Sequence, residues 1–119
     1  MNFNNEIKDL LSKCKESQKL TIMMPTHRKS PDKQKDRILF KNLIQDVRQT
    51  LEKFVSRTTF ETVIEKLETL QEDSMFWAHT QDGLMVLLCG EYMKTFILNH
   101  KLPAETLVSE AFNLSPLLL

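Results

Sequence analysis

The spacing of hydrophobic positions changes several times along the chain, and each change marks an element. Phe3, Ile7, Leu10, Leu11 and Cys14 recur at helical spacing and predict a first helix over 4–13, with Asn4 or Asn5 able to cap it. Ser17-Gln18-Lys19 is a polar break. Leu20-Thr21-Ile22-Met23-Met24 then reads as a strand, and its unbroken apolar end predicts burial on both faces and an interior place in a sheet. Pro25 stops it, because proline cannot donate to a central ladder.

Phe40, Leu43, Ile44, Val47, Leu51, Phe54 and Val55 form a wide apolar stripe. They predict a long second helix from residue 31 or 35 to residue 55, with Ser30 as N-cap and Pro31 in the first helical position. Arg48 and Glu52 stand one turn apart on its polar side. Thr58-Thr59-Phe60-Glu61 has the form of a capping box. It predicts a third helix to about residue 71, burying Phe60, Val63, Ile64, Leu67 and Leu70. Two helices joined so closely form a hairpin over one sheet surface.

From Ser74 the pattern reads as strand. Segments 75–80 and 84–89 flank Gln81-Asp82-Gly83, and Asp-Gly is the strongest short hairpin signal, through a type I′ turn. Gly90-Glu91-Tyr92 is the next turn, 94–98 the next strand, and 99–104 a loop in which Pro103 bars a continued ladder. A short last strand follows over 105–110. The fold class predicted is α+β: a two-layer domain, with a mixed β-sheet of about four to five strands, a helical hairpin packed on it and an N-terminal helix.

Composition narrows the class without changing it. With 119 residues the chain is one domain by size, and 41% hydrophobic with 27% charged residues is ordinary globular composition. Only 2 Gly and 4 Pro argue against a linker or a disordered chain. No apolar run is long enough to span a membrane, and MNFNNEIKDLL lacks the basic-then-apolar order of a secretory signal. Cys14 and Cys89 match no metal spacing and are expected to be reduced core residues of a cytoplasmic protein. The apolar end, Phe112-Asn113-Leu114-Ser115-Pro116-Leu117-Leu118-Leu119, is expected to begin a linker to a following domain, leaving 1–111 as the single domain here. Docking of those leucines on the domain's own surface is the alternative.

Charge is unevenly spread although it sums to zero. Residues 13–57 hold 12 Lys/Arg against 5 Asp/Glu, while residues 58–119 hold 3 against 9. Such a split fits an anionic partner for the basic part, or two halves that neutralise each other when folded. The sharpest candidates for chemistry lie in the basic part. His27 and Arg28 stand where a strand ends and a helix begins, and with Lys29, Lys33 and Arg37 they define a candidate nucleic-acid or anion-binding surface. The competing reading is a loop whose Thr26 and His27 bond only to backbone and hold the turn. Trp77 beside His79 offers a stacking platform or, more simply, a core indole with a rim imidazole.

Nothing in the chain points to an enzyme. There is no glycine-rich phosphate loop, nucleophile elbow, HExxH or zinc-spaced Cys/His set, so no catalytic residue, metal or cofactor is assigned. Glu61, Glu65, Glu68 and Glu72 follow helical steps along a solvated face.

Three stretches carry a resemblance. MPTHRKSPDKQKDRILFKNLI resembles the PTHR…Q.D…KNLL pattern that opens the bacterial and archaeal release-factor-like family, distant relatives of the archaeal and eukaryotic peptide chain release factors and of Pelota. FWAHTQDGLMV is similar to the family's "FW, polar turn, DGLAVF" stretch, and FNLSPLL to the F.LKPLL that leads into its next domain. The position before Phe40, often arginine in the family, is Leu39 here. The resemblance implies a non-catalytic N-terminal domain of a ribosome- or RNA-associated cytoplasmic protein acting in translation termination, rescue or stress. The family's glycine-glycine-glutamine motif belongs to a later domain and is absent from this chain. Two other readings stand beside this one. One is a protein-interaction module working through the acidic half or the apolar tail. The other is a small hydrolase or nuclease centred on His27.

Overall fold

β1 (Lys19–Pro25) lies inside the sheet, as its apolar sequence predicts: its five middle residues are all buried. The computed structural model describes residues 3–114 and 117. In chain order the elements are α1 (Phe3–Lys13), β1, α2 (Asp32–Leu51), α3 (Arg57–Gln71), α4 (Ser74–Ala78), β2 (Gly83–Cys89), β3 (Tyr92–Leu98) and β4 (Glu105–Ser109). The strands form one four-stranded sheet in the order β3-β2-β1-β4. Every pairing is antiparallel, so the sheet is not the mixed one expected. The α+β class, the sheet, the helical hairpin and the N-terminal helix are all present.

Register decides which residues share a face. Ile22 stands opposite Val86 on β2, and its neighbour Met23 opposite Met85. Side chains alternate across a strand, so the two sets separate. Leu20, Ile22, Met24, Leu84, Val86 and Leu88 join the apolar stripes of α2 and α3 in one core. Met23, Met85, Leu87, Cys89, Phe96 and Leu98 join Ile7 and Leu10 of α1 in a second core on the opposite face. Phe112, Leu114 and Leu117 pack against this second core, and the Asn113 N–H donates to the buried Thr21 hydroxyl at 3.2 Å. Ser115, Pro116, Leu118 and Leu119, part of the expected linker, lie outside the described residues.

Segment 74–80 is not a strand. Asp73 caps α4, accepting from the Phe76 N–H at 3.0 Å. Trp77 is then turned inward, where its Nε1–H donates to Leu70 O at 2.9 Å and its ring packs tilted on Phe40 at 5.2 Å. A short apolar run cannot distinguish strand from helix by period, and here the Asp cap decides it. The Asp82-Gly83 hairpin therefore does not form. The tight hairpin is at Gly90-Glu91, between the paired residues Cys89 and Tyr92, with Gly90 at φ +59°. Positive φ at the first central residue alone is the pattern of a type II′ loop.

Helix ends also move. Pro31 occupies the N-cap position of α2 without any side-chain cap, and the helix stops at Leu51. Phe54 is consequently exposed in the turn. The cap of α3 is Ser56, whose Oγ accepts from the Thr59 N–H at 3.2 Å, while Glu61 accepts from Arg57 at 2.9 Å instead of closing a capping box at Thr58.

The cysteines are not separate thiols. Cys14 follows the last turn of α1 and Cys89 ends β2, and they are joined in a disulfide with Cα atoms 5.5 Å apart. They are 75 positions apart in the chain. Only the crossing of α1 over the second sheet face brings them together.

Candidate functional site

The loop after β1 is built from Thr26 outward. Thr26 is fully buried and continues the sheet by one bond: its N–H donates to Asp82 O at 3.0 Å and its hydroxyl to Gln81 O at 2.9 Å. Lys101 reaches over from the loop after β3 and donates to Thr26 O at 2.6 Å. The stretches Pro25-Thr26-His27-Arg28 and Gln81-Asp82-Gly83 therefore form one unit, though more than fifty positions separate them in sequence.

His27 is held by Asp36, one turn before Phe40 on the buried side of α2. Oδ1 bonds the ring Nδ1 at 2.8 Å and Oδ2 accepts the main-chain N–H at 2.8 Å. An ionised carboxylate accepts only, so Nδ1 carries the hydrogen of this bond. The imidazole is about two-fifths exposed, at 38%. Among the described residues Nε2 has no hydrogen-bond partner.

Three of the other predicted cations, Arg28, Lys33 and Arg37, turn back onto the protein. Arg28 grips Asp82, with Nη2–Oδ2 at 2.9 Å and Nε–Oδ1 at 3.2 Å. This hydrogen bond holds the Asp82 carboxyl below the usual carboxylate value and raises Arg28 in turn. Lys33 donates to His27 O at 3.1 Å, Thr80 O at 3.2 Å and Thr80 Oγ1 at 3.0 Å. The Thr80 hydroxyl then donates to Trp77 O at 3.2 Å, which ties the loop to α4. Arg37 donates to Gln71 O, the last carbonyl of α3, at 3.0 Å, and to Ser74 Oγ at 3.5 Å, with Glu72 at 3.8 Å. A cation there satisfies the C-terminal end of a helix. Lys29 is exposed and has no side-chain partner among the described residues. So the structure gathers His27, Arg28, Lys29 and Lys33 around one loop and sends Arg37 to the end of α3.

The asymmetry of charge has a corresponding cause. Arg28–Asp82, Arg37–Glu72 and Arg48–Glu68 each join the basic half to the acidic half. Trp77 is buried, so it is a core residue and no stacking platform. His79 is exposed, its Nδ1 on Met75 O at 2.8 Å.

Asp36, Thr80, Asp82 and Lys101 belong to this site and were not among the sequence candidates. Asp36 had a readable signal, a lone carboxylate on the apolar stripe that runs through Phe40, Leu43 and Val47. Charged residues are almost never fully buried unless paired. Among the described residues no three His, Cys, Asp or Glu come together to hold a metal, and no helix is long and apolar enough to cross a membrane. Compared with models of protein families and with curated proteins, the chain matches none.

Proposed function

We propose that this chain is a non-catalytic domain of a release-factor-like cytoplasmic protein that associates with the ribosome or with RNA. One observation carries the reading: two of the stretches that bear the resemblance are a single hydrogen-bonded unit. Thr26 and Arg28 bind Gln81 and Asp82, and Lys33 links the loop through Thr80 to Trp77. A motif set whose members hold one another has a physical reason to occur together. The surface this unit offers to a phosphate backbone is Lys29, the half-exposed Arg28 and the partly exposed ring of His27.

The test is co-sedimentation of the purified chain with ribosomes at two salt concentrations. Binding should weaken as salt rises. Lys29→Ala should weaken it further and lower the salt slope by about one unit for each phosphate that is no longer neutralised. No binding at low salt, or a Lys29→Ala variant that binds like the parent, overturns the reading. The domain should not turn over peptidyl-tRNA, RNA or esters, and turnover abolished by His27→Ala would reinstate the hydrolase reading.

The pairing of basic with acidic halves favours a second reading, a protein-interaction module, because it removes the net positive field that draws nucleic acid. Binding to ribosomal protein that survives high salt distinguishes it.

A further inference from the structure

We propose that Cys14–Cys89 is a reversible redox latch, opened by a dithiol reductant at Cys14, that fastens the C-terminal end of α1 onto the second face of the sheet. The disulfide joins two parts that the main chain leaves far apart. Cys14 lies just past Lys13, the end of α1, and Cys89 is the last residue of β2 before the Gly90 turn.

The two sulfurs differ in access. Cys89 is 1% exposed, whereas Cys14 is only half-buried. On the Cys89 side, where the leaving thiolate forms, opens a cleft of about 310 Å³ lined also by Lys13, Lys15, Glu16 and Gly90. Lys13 is engaged by Asp9 at 3.3 Å, which leaves Lys15 as the cation available to steady a thiolate there. On the cytoplasmic reading proposed above, a disulfide of this kind is typically redox-sensing and not permanent.

The exchange balances. A thiolate of the dithiol attacks Cys14 Sγ, the Cys14–Cys89 bond breaks, and Cys89 leaves as a thiolate that takes a proton from solvent. The second thiol of the reductant then displaces Cys14 as a thiol, and the reductant departs as its own disulfide. Two electrons and two protons pass to the protein.

Opening the latch acts on α1 in particular. Its hold on the sheet also includes Ile7 and Leu10 in the second core, the Phe3–Phe96 ring contact at 5.2 Å and the Asp9–Lys94 pair at 3.3 Å. The chain has only 2 cysteines, so no second disulfide can hold the helix, and its end frays first when this one opens. β1 and α2 are tied through the other core and the Thr26 loop and should not respond, whereas Thr59 at the start of α3 donates to Glu16 Oε1 at 2.7 Å beside the latch.

The experiment is hydrogen exchange read by mass spectrometry, on the air-oxidised chain, on the same chain in dithiothreitol, and on Cys14→Ser/Cys89→Ser. Expected are no alkylation of the oxidised chain and two labels after reduction. Exchange over 3–14 should rise about tenfold or more on reduction and reverse on reoxidation, with α2 unchanged. Cys14 in the Cys89→Ser variant should react with an aromatic disulfide reagent about tenfold faster than Cys89 in Cys14→Ser. Should the double serine variant fail to fold, reduction of the parent chain reads the same quantity. Free thiols in the oxidised chain, or equal exchange over 3–14 in both redox states, overturns the proposal. Ribosome binding is not part of this readout, so the latch and the proposed function fail independently.

Discussion

Asp36 holds His27 with both carboxylate oxygens, one on the ring Nδ1 and one on the main-chain N–H, each at 2.8 Å. One buried side chain on α2 thereby sets both the path of the loop and the direction of its imidazole. The Asp36 side chain is 2% exposed, so water cannot replace it.

Removing Asp36 should therefore cost more than removing an exposed charge. Asp36→Ala leaves two donors without an acceptor and should destabilise the fold by about 2–4 kcal/mol in urea unfolding. Asp36→Asn keeps one acceptor and should cost less. Nitrogen NMR of the His27 ring should show hydrogen on Nδ1 in the parent and lose that preference in Asp36→Ala. A change in stability below about 0.5 kcal/mol would mean the pair does not shape the loop.

The Arg28–Asp82 pair predicts a pH dependence. Arg28 holds the Asp82 carboxyl below its ordinary value of 3.8. Its contribution is therefore complete above that value and is lost as pH falls through the lowered one. The melting temperature of Arg28→Gln should lie below the parent's near neutral pH, and the two curves should converge as pH falls through the lowered Asp82 value. Curves that stay parallel into acid would show that the pair adds nothing.

Gly83 and Gly90 are needed for different reasons. A Cβ at Gly83 would strike the carbonyl oxygen of His100 in the loop after β3, whereas one at Gly90 would meet only the flexible Glu16 side chain, at 3.3 Å, but at a φ of +59°. Gly83→Ala should cost about 2 kcal/mol or more through backbone displacement, and Gly90→Ala about 1 kcal/mol through conformational strain. Calorimetry on both variants decides it, and the reverse ranking would refute this assignment.

Trp77 is the single tryptophan and reports on the join between α4 and the core. Its fluorescence should be blue-shifted in the native state and move red on unfolding. Trp77→Phe removes the indole donor to Leu70 O, which keeps the Asp73 N–H at 3.1 Å, and should cost about 1 kcal/mol, while Phe40→Ala should cost about 3–5 kcal/mol by opening a cavity in the same place. A red-emitting native protein would place the indole in water, contrary to its burial.

The sequence by itself determined the parts whose information is local and periodic. The apolar run ending in Met24 defined an interior strand, and the stripe from Phe40 to Leu51 a long helix, because burial imposes spacing on any chain that forms those elements. The Gly90 turn and the position of the PTHR loop at a strand end were readable for the same reason. Tertiary structure decided whatever depends on a distant partner. The segment around Trp77 is helix because Asp73 caps it, a local signal that the apolar period does not carry, but where its indole packs depends on Phe40 of α2. Gly83 answers to the His100 carbonyl and not to a turn of its own. Cys14 found Cys89 because α1 crosses the sheet, which sequence spacing cannot express. At the site, charge counting located the cations, but only the folded chain revealed that Asp36, Asp82 and Thr80 had already engaged most of them. Periodicity records which face a residue turns, whereas a hydrogen bond requires two groups within about 3 Å, and that is fixed only when the strands and helices are set in place.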